Sequence, residues 1–360
     1  VTEAMLPEEM FDADGDYPAL EGGGDIRFSS DPYGETRLAC DIRSFHIDNN
    51  PASGYAEIAV KVPTVSSSTD TVIYVWYNRP GSVQPAPSDT YGQYNAYDQY
   101  HEAVYPLSDF NDRTANQYHL NASGTPTVTS TAKIGSAVDF ERDDSDYLYR
   151  TAAVTNAMDV TFECMGRDEN AGAIATDALA ISQGSTADDL DFYILYWNAP
   201  ESDIHGRVRD SAGNRVDQGS QVISGQTWYY VGCRLDRVNR VANIFVNGTE
   251  NESPVEDNVT LTVDRFSVGA LLNTAANVFF DGQIDEVRIS GTGRSVAWRA
   301  ANYANQMSPG TFAAASDPEA PFPHGWRRSC ALTIDSSKID ADLTDWTMIL
   351  TEDSLPAEMF

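Results

Sequence analysis

Short runs of β-branched and aromatic residues recur along the whole chain and are the strongest constraint on its fold. They are residues 56–62, 71–77, 160–164, 192–197, 228–235, 242–246, 266–269 and 284–289. Turn-forming sequences separate the runs, among them Asn247-Gly248, a pair that favours a hairpin turn. Strands this short, at this spacing, are typical of an all-β sandwich. A helix is predicted only at residues 294–303, where Ser295 is positioned to cap the first turn.

The two ends of the chain carry the same eleven-residue sequence. Residues 350–360 (LTEDSLPAEMF) repeat residues 1–11 (VTEAMLPEEMF) with seven identities. The offset predicts that the chain is just over one period of a tandem repeat of whole domains, and that its start and end are excerpt or processing boundaries. The alternative is a coincidental match between two acidic strand ends.

The charge is strongly negative, because 54 acidic residues stand against 23 basic ones and give −31. Such a surface repels a phosphate backbone, so the composition excludes a nucleic-acid partner. No apolar run approaches the roughly 20 residues of a membrane helix, so membrane insertion is excluded as well. The acidic surface fits a saline habitat or an ordinary acidic secreted protein, and both interpretations stay open.

Two proline-rich passages, residues 81–94 and 308–324, are interpreted as semi-rigid linkers. They divide the chain into residues 1–80, the larger part of a small β-sandwich; residues 95–307, a larger β-domain; and residues 325–360, the opening strands of a small β-sandwich. That last segment would complete the small domain either in the same chain or in the next unit.

A family resemblance rests on motifs within residues 95–307. These are residues 133–140 (KIGSAVDF), 146–148 (DYL), 228–231 (WYYV), 245–248 (FVNG) and 281–289 (DGQIDEVRI). In these motifs the segment resembles a laminin-G-like domain of the concanavalin A-like lectin/glucanase superfamily. The resemblance implies a jelly-roll sandwich.

The flanking pieces resemble an uncharacterised β-domain that precedes laminin-G-like domains in large prokaryotic surface repeat proteins. The matching segments are residues 326–327, 331–335 and 338–340 for its opening, 24–28 for its middle and 60–71 for its end. The opening stands at the C-terminus here. The expected fold class is therefore all-β, with a jelly roll and a second, smaller β-sandwich split between the two termini.

The four cysteines are too few for a disulfide scaffold and lack the spacing of a zinc site. Each predicted domain contains two of them, and an extracellular chain favours oxidation. The hypothesis is that Cys164 bonds to Cys233 and Cys40 bonds to Cys330.

Calcium is the expected cofactor, because it prefers several carboxylate oxygens and laminin-G-like domains often carry such a site. The candidate ligands are Asp143, Asp144, Asp146 and Asp281. A merely hydrated acidic loop is the alternative at each position.

No nucleophile motif or phosphate loop points to catalysis. Asp285 and Glu286 resemble a glucanase carboxylate pair, but adjacent strand residues face opposite sides of a sheet. Tyr193, Tyr196 and Trp197 are candidate glycan contacts, with core packing as the alternative for each.

The function expected from these observations is non-enzymatic. The chain is interpreted as an extracellular or cell-surface structural repeat unit of a filament, stalk or adhesin, joined to copies of itself head to tail by strand complementation or by chain continuity. The alternative is a carbohydrate-binding module of a secreted polysaccharide-degrading enzyme or a virion appendage. Surface glycans are a second expected partner.

Overall fold

A computed structural model describes residues 20–46, 55–174, 176–199, 201–316, 326 and 328–350. The chain divides into two units. We call residues 99–299 the central unit, and residues 1–98 together with 300–360 the terminal unit. Both are built almost entirely of antiparallel strands, which confirms the predicted fold class. Among the described residues, no helix has the length and apolar character needed to cross a membrane.

The first strands belong to the terminal unit and the next seventeen to the central unit. In the terminal unit they are β1 (Arg27–Ser29), β2 (Arg37–Leu38), β3 (Cys40–His46), β4 (Tyr55–Val65) and β5 (Thr71–Tyr77). In the central unit they are β6 (His101–Tyr105), β7 (Asn121–Ser123), β8 (Thr127–Thr129), β9 (Ala137–Phe140), β10 (Tyr147–Arg150), β11 (Asp159–Asp168), β12 (Ala178–Gly184), β13 (Phe192–Asn198), β14 (Asp203–Arg209), β15 (Arg215–Gly219), β16 (Tyr229–Asp236), β17 (Val241–Val246), β18 (Thr249–Glu252), β19 (Arg265–Val268), β20 (Leu271–Leu272), β21 (Ala276–Asn277) and β22 (Gly282–Ser290).

The remaining elements follow the central strands. They are helices α1 (Val296–Met307) and α2 (Pro309–Phe312) and strands β23 (Ala313–Ala315), β24 (Arg328–Ile334) and β25 (Leu343–Leu350). Short 3-10 turns lie at Glu21–Gly23, Gln93–Asn95 and Ser336–Lys338. The Ser295 hydroxyl accepts a hydrogen bond from the backbone N–H of Trp298 (3.1 Å), so the predicted cap is confirmed.

Two sheets enclose the core of the central unit. One has the strand order β15-β14-β13-β12-β19-β10-β7, and the other has the order β18-β17-β16-β11-β22-β9-β8 with β6 also paired to β22. Side chains from both sheets form one buried apolar cluster, which includes Phe162 and Ile244 from the second sheet and Leu195 and Phe266 from the first. The arrangement is a two-sheet sandwich, as the jelly-roll prediction requires.

The terminal unit is completed by strands from both ends of the same chain. Strand β24 pairs with β5 from Arg328 opposite Tyr77 to Ile334 opposite Thr71. Strand β25 pairs with β4 along its length. The resulting sheets have the orders β2-β1-β5-β24-β23 and β25-β4-β3. The described strands from both ends thus pair within one chain, which is one of the two options that the sequence left open.

Part of the predicted linker at residues 308–324 is folded. Strand β23 pairs with β24, with Ala313 opposite Ile334, and Phe312 is fully buried. Proline-rich composition suggested an extended segment here, but alanines after the prolines can continue the sheet. The rest of that linker, residues 317–324, lies outside the described residues, as do residues 1–11 and 351–360 of the repeated sequence.

None of the four cysteines is in a disulfide, so neither predicted bond is present in the structure. Strand register explains this for Cys164 and Cys233, because Cys164 lies opposite Val231 and Cys233 opposite Phe162. Such diagonal positions hold Cβ atoms about 7 Å apart, whereas a disulfide needs roughly 3.8 Å. Cys40 and Cys330 lie on strands of different sheets.

We expect the native protein to resist thiol reagents. All four cysteines are buried, and burial raises the pKa of Cys40 and of Cys233 to about 12, so little reactive thiolate forms at neutral pH. Titration with Ellman's reagent should find almost no thiol in the folded protein and four per chain after unfolding in guanidinium without reductant. Fewer than four in the unfolded sample would restore the disulfide hypothesis.

Candidate functional site

Strand β13 has two different faces, although all its residues are buried. Tyr193, Leu195 and Trp197 belong to the core between the two sheets. Phe192, Ile194 and Tyr196 form a second apolar cluster on the other face of the same sheet. Tyr193 and Trp197 are therefore core residues, and the prediction that they contact a glycan is wrong. Tyr196 lies on the outward face of the sheet.

Beside Tyr196 lies a polar cavity of about 520 Å³, which we call the His205 pocket. Strands β13, β14 and β15 supply most of its wall, because every second residue of each strand projects outward. Its lining residues are Tyr196, Asn198, Glu201, Asp203, His205, Arg207, Arg215, Asp217, Gln218, Gly219, Ser220 and Asn251.

His205 lies between two carboxylates. Its Nε2 is 3.1 Å from Asp203 Oδ2 and its Nδ1 is 3.0 Å from Asp217 Oδ1. The imidazole also stands 5.5 Å from the ring centroid of Tyr196. Burial lowers the pKa of His205, but the hydrogen bond and charge of Asp217 and the charge of Asp203 outweigh it and raise this pKa. His205 is thus held as a cation more firmly than an exposed histidine.

Arg207 continues the same chain of contacts. Its Nε and Nη2 donate to Asp217 Oδ2 at 3.0 and 2.7 Å, and its guanidinium carbon is 5.3 Å from the Tyr196 ring centroid. Burial raises the pKa of Asp217, but its hydrogen bonds to His205 and Arg207 outweigh this and lower it. Asp217 therefore remains an ionised hydrogen-bond acceptor with a fixed orientation.

A second set of amide contacts fixes the opposite wall. Asn198 Nδ2 donates to Asp203 Oδ1 at 2.8 Å and also to the Glu201 carboxylate. Asn251 Nδ2 donates to the carbonyl of Gly219 at 3.0 Å. The pocket thus presents pre-oriented carboxylates and amides next to an aromatic ring, a set that can bind the hydroxyl groups of a polar ligand.

We expect the pKa of His205 to lie above the ordinary value of about 6.5. Because folding raises this pKa, the imidazolium contacts contribute their full stability below about pH 6.5, and that contribution is lost as pH rises through the folded pKa. NMR titration of the His205 ring measures the value, and Asp217→Asn should lower it. A titration midpoint at or below the ordinary value would contradict this assignment.

The predicted calcium ligands do not form one set. Asp146 is buried in the 141–146 turn, where Oδ1 accepts from the N–H of Thr125 (2.5 Å) and Oδ2 from the N–H of Glu141 (3.2 Å). Asp143 and Asp144 are exposed on the same turn, and Asp281 lies 3.8 Å from Arg142 Nη1. Among the described residues, the acids that lie close enough together to share one ion do not include these four.

A different trio of carboxylates comes together beside that turn. Oxygens of Asp139, Glu141 and Glu169 lie within 4.8 Å of one another. Burial, the charges of Glu169 and Asp139, and smaller contributions from two further aspartates raise the pKa of Glu141. The Gln283 amide donates to both Asp139 and Glu169. The cluster is a candidate cation site, and its clustered, largely unneutralised charge fits a divalent ion.

Asp285 and Glu286 have structural roles. Asp285 Oδ2 accepts hydrogen bonds from the N–H groups of Lys133 (3.1 Å) and Ile134 (2.8 Å). Glu286 is paired with Arg288 at 2.7 Å. Both carboxylates are buried and have partners within the protein, as structural roles require.

Sequence reasoning missed His205, Arg207, Asp203 and Asp217. The signal was present as the alternation of Asp203, His205 and Arg207 on one strand, which places the three on one face. The sequence alone does not show that β14 pairs with β15, and it is this pairing that brings Asp217 opposite Arg207.

Residues 145–298 match the family model of the concanavalin A-like lectin/glucanases superfamily (Laminin_G_3). The segment contains all the residues that line the His205 pocket. The match confirms the resemblance predicted for the jelly-roll part of the chain. The resemblance of the flanking pieces to a second β-domain stays a prediction.

Several solved structures are similar to this chain at low identity. Domain 4 of AbnA, a GH43 extracellular arabinanase from Geobacillus stearothermophilus, in complex with arabinotriose, is 16% identical with a TM-score of 0.46, covering 58% of this chain and 98% of that one. The receptor binding domain of botulinum neurotoxin C/D mosaic serotype is 11% identical with a TM-score of 0.45, covering 57% and 51%. The binding domain of Paraclostridial Mosquitocidal Protein 1 is 8% identical with a TM-score of 0.43, covering 57% and 52%. The chain thus spans about half of the length of the two toxin structures. The sequence has no significant match among curated proteins.

Proposed function

We propose that the chain is a non-enzymatic, extracellular carbohydrate-binding protein and that the His205 pocket binds a neutral glycan. One observation carries the proposal: the pocket combines an aromatic side chain with fixed carboxylates and amides, inside the segment that matches a lectin-containing superfamily. Ionised carboxylates accept hydrogen bonds from sugar hydroxyls, while amide N–H groups donate to them. The Tyr196 ring, which is 5% exposed, adds an apolar edge beside them that a sugar can contact.

The protonation of the pocket supports binding over hydrolysis. A glycosidase of the usual type needs one carboxyl with a raised pKa as general acid. Asp217 has a lowered pKa, because its hydrogen bonds to His205 and Arg207 outweigh the effect of burial. It is suited to accept hydrogen bonds and not to donate a proton.

The test is a screen of the whole chain against neutral oligosaccharides of three to six sugars, roughly the length a rim pocket can contact, followed by calorimetry on the best ligand. Asp203→Asn and Tyr196→Ala should each weaken binding about tenfold or more, since each removes a direct contact. The matched control is Tyr100→Ala, an exposed tyrosine of the central unit outside the pocket. Glycan binding that survives Asp203→Asn and Tyr196→Ala unchanged, or turnover of the glycan, would reject the proposal.

A second role, structural repetition, is favoured by the repeated ends of the sequence. The seven identities between residues 1–11 and 350–360 suggest that copies of this unit follow one another in a single polypeptide. Because β24 and β25 pair within their own chain, we propose chain continuity and not strand donation as the link between units. The repeat unit would then serve in a surface filament, stalk or adhesin, with avidity multiplied by the number of copies.

Light scattering and electron microscopy test this second role. A single unit should be a monomer in solution, because its strands are completed in cis. Native material should be a continuous fibre whose axial period is one unit. Native material that consists of free single units would contradict it.

We also propose that the Asp139–Glu141–Glu169 trio binds calcium. A cation bound only by the folded state stabilises it by mass action. Added calcium should raise the melting temperature relative to sodium at equal ionic strength, and Glu141→Gln should remove most of that increase. Asp143→Asn is the matched control, because Asp143 is an exposed acid of the same turn outside the trio. A melting temperature that does not respond to calcium or to chelator would reject the site.

A further inference from the structure

The terminal unit contains a cavity of about 590 Å³ with an unusual wall, which we call the Arg37 pocket. It is lined by Arg27, Phe28, Gly34, Glu35, Arg37, Trp76, Arg79 and Trp326. Three arginines thus converge on one cavity in a chain whose net charge is −31. Only one of the lining residues, the exposed Glu35, is acidic.

The positive charge of this pocket is not paired directly with a carboxylate. Within the part of the chain that the structure describes, Arg27, Arg37 and Arg79 form no ion pair with a carboxylate. Burial and the neighbouring charge of Arg37 lower the pKa of Arg27, and the opposing charge of the buried Asp25 does not outweigh them. Three like charges held together repel one another, so an anion placed among them would be bound favourably.

The arginines are also held in place before any ligand arrives. Arg27 Nη1 donates to the carbonyls of Gly24 (3.0 Å) and Ile26 (2.6 Å), and its Nη2 donates to that of Val83. The Arg37 guanidinium carbon lies 4.6 Å from the Tyr91 ring centroid. Arg37 Nε and Nη2 are buried and find no acceptor among the described residues. Buried donors of this kind ordinarily have a partner, so the Arg37 guanidinium has unused hydrogen-bonding capacity at the wall of the cavity.

A flat apolar surface lies beside the charges. The Trp326 ring is only partly buried, with Arg79 at 5.2 Å and Arg27 at 5.8 Å from its centroid. Trp76 forms the floor, fixed by a 2.7 Å hydrogen bond from its Nε1 to Ser29 Oγ. Gly34 lies over that indole, where a Cβ would come within 3.3 Å of the ring. An indole face next to guanidinium groups can stack against a sugar ring.

We propose that the Arg37 pocket binds a saccharide that carries a carboxylate, a hexuronate residue, with the carboxylate on Arg37 and the sugar ring against Trp326. The guanidinium fork matches a carboxylate with two parallel hydrogen bonds. A cavity of about 590 Å³ with an indole wall is larger than an inorganic anion requires. The acidic surface of the whole chain disfavours a long polyanion, so a short acidic oligosaccharide fits best. The Arg37 pocket is separate from the His205 pocket, and either proposal can fail alone.

Calorimetry on the full chain with trigalacturonate tests the proposal, with neutral galactotriose, sodium sulfate and a penta-glutamate peptide as comparison ligands. We expect trigalacturonate to be the only one of these ligands whose binding depends on Arg37, and added salt should weaken that binding. Arg37→Gln should reduce affinity about ten- to a hundredfold, the loss typical of hydrogen bonds to a charged group. Trp326→Ala should reduce it by about tenfold. Glu35→Gln should increase affinity, because it removes the one negative charge in the wall.

The controls separate loss of the site from loss of the fold. Arg240→Gln removes an exposed arginine from the central unit and should leave affinity unchanged. If Arg37→Gln alters the circular dichroism spectrum, Arg37→Lys serves as the test variant in its place. It keeps the positive charge without the guanidinium fork, so it should bind trigalacturonate more weakly than the unmodified chain does. Equal Arg37-dependent binding of galactotriose, sulfate or penta-glutamate would overturn the proposal, whereas galactotriose binding that Arg37→Gln leaves unchanged belongs to the His205 pocket. An unchanged affinity in both Arg37→Lys and Glu35→Gln would also overturn the proposal.

Discussion

A chain that ends at residue 325 should contain a folded central unit and an unfolded terminal unit. The missing segment supplies β24, which lies between β5 and β23 in one sheet, and β25, which pairs with β4 in the other. Its side chains Leu332, Trp346 and Ile349 are fully buried in the intact chain. Without them β4 and β5 lose a partner, and their apolar faces meet water. This should be the largest effect of any change considered for the terminal unit.

Hydrogen exchange measured by mass spectrometry distinguishes the two units. Backbone amides of β4 and β5 should lose protection in the shortened chain, while those of β11 and β16 keep it. A chain that ends at residue 350 is the matched control, since it removes only residues after β25. A synthetic peptide of residues 326–350 should restore protection when it is added in trans. Native-like protection of β5 in the shortened chain would contradict the pairing of β24 with β5.

Replacement of Trp197 by alanine should cost about 3–5 kcal/mol of unfolding free energy, the range typical of a large aromatic removed from a core. Trp197 is fully buried and meets Phe280 edge-to-face at 5.3 Å between ring centroids. Gly166 faces its ring so closely that a Cβ there would lie 2.6 Å from it. The neighbours are backbone and rigid rings, so they cannot collapse fully into the cavity.

Chemical denaturation followed by fluorescence and circular dichroism measures this change. Val222→Ala is the control, because that side chain is 74% exposed and its loss should be worth under about 0.5 kcal/mol. Tyr196 lies one residue away, on the opposite face of the sheet. Relative to its effect on stability, Tyr196→Ala should impair glycan binding far more than Trp197→Ala does. A destabilisation by Trp197→Ala below about 1 kcal/mol would show that the ring is not a core residue.

Local sequence patterns predicted the strands well, because strand formation depends on short-range residue preferences. Residues 192–197 were predicted as a strand, and β13 extends from Phe192 to Asn198. Asn247 and Gly248 both adopt positive φ angles between β17 and β18, as the hairpin prediction requires. The faces of β13 could not be predicted, since aromatic residues occupy both and give no polar-apolar alternation.

The sites depended on long-range pairing and were predicted poorly. The acidic trio joins Asp139 and Glu141 from one segment with Glu169 from another, whereas the sequence predicted calcium at Asp143, Asp144, Asp146 and Asp281. The Arg37 pocket joins Arg27, Arg37 and Arg79 with Trp326 from the other end of the chain. No local pattern connects residues so distant, because their proximity follows from which strands become neighbours.

The closure of the terminal unit by its last strands also sets the order in which the chain acquires structure during synthesis. Strands β1–β5 leave the ribosome first, yet β5 receives its partner β24 only after the whole central unit has been made. At about 5–20 residues per second, that interval is roughly ten seconds to a minute. For that time the early strands present unpaired edges, while the central unit can already fold around its own core. A newborn chain of this kind would depend on its acidic surface, or on a chaperone, to keep those edges apart until β24 and β25 have been made.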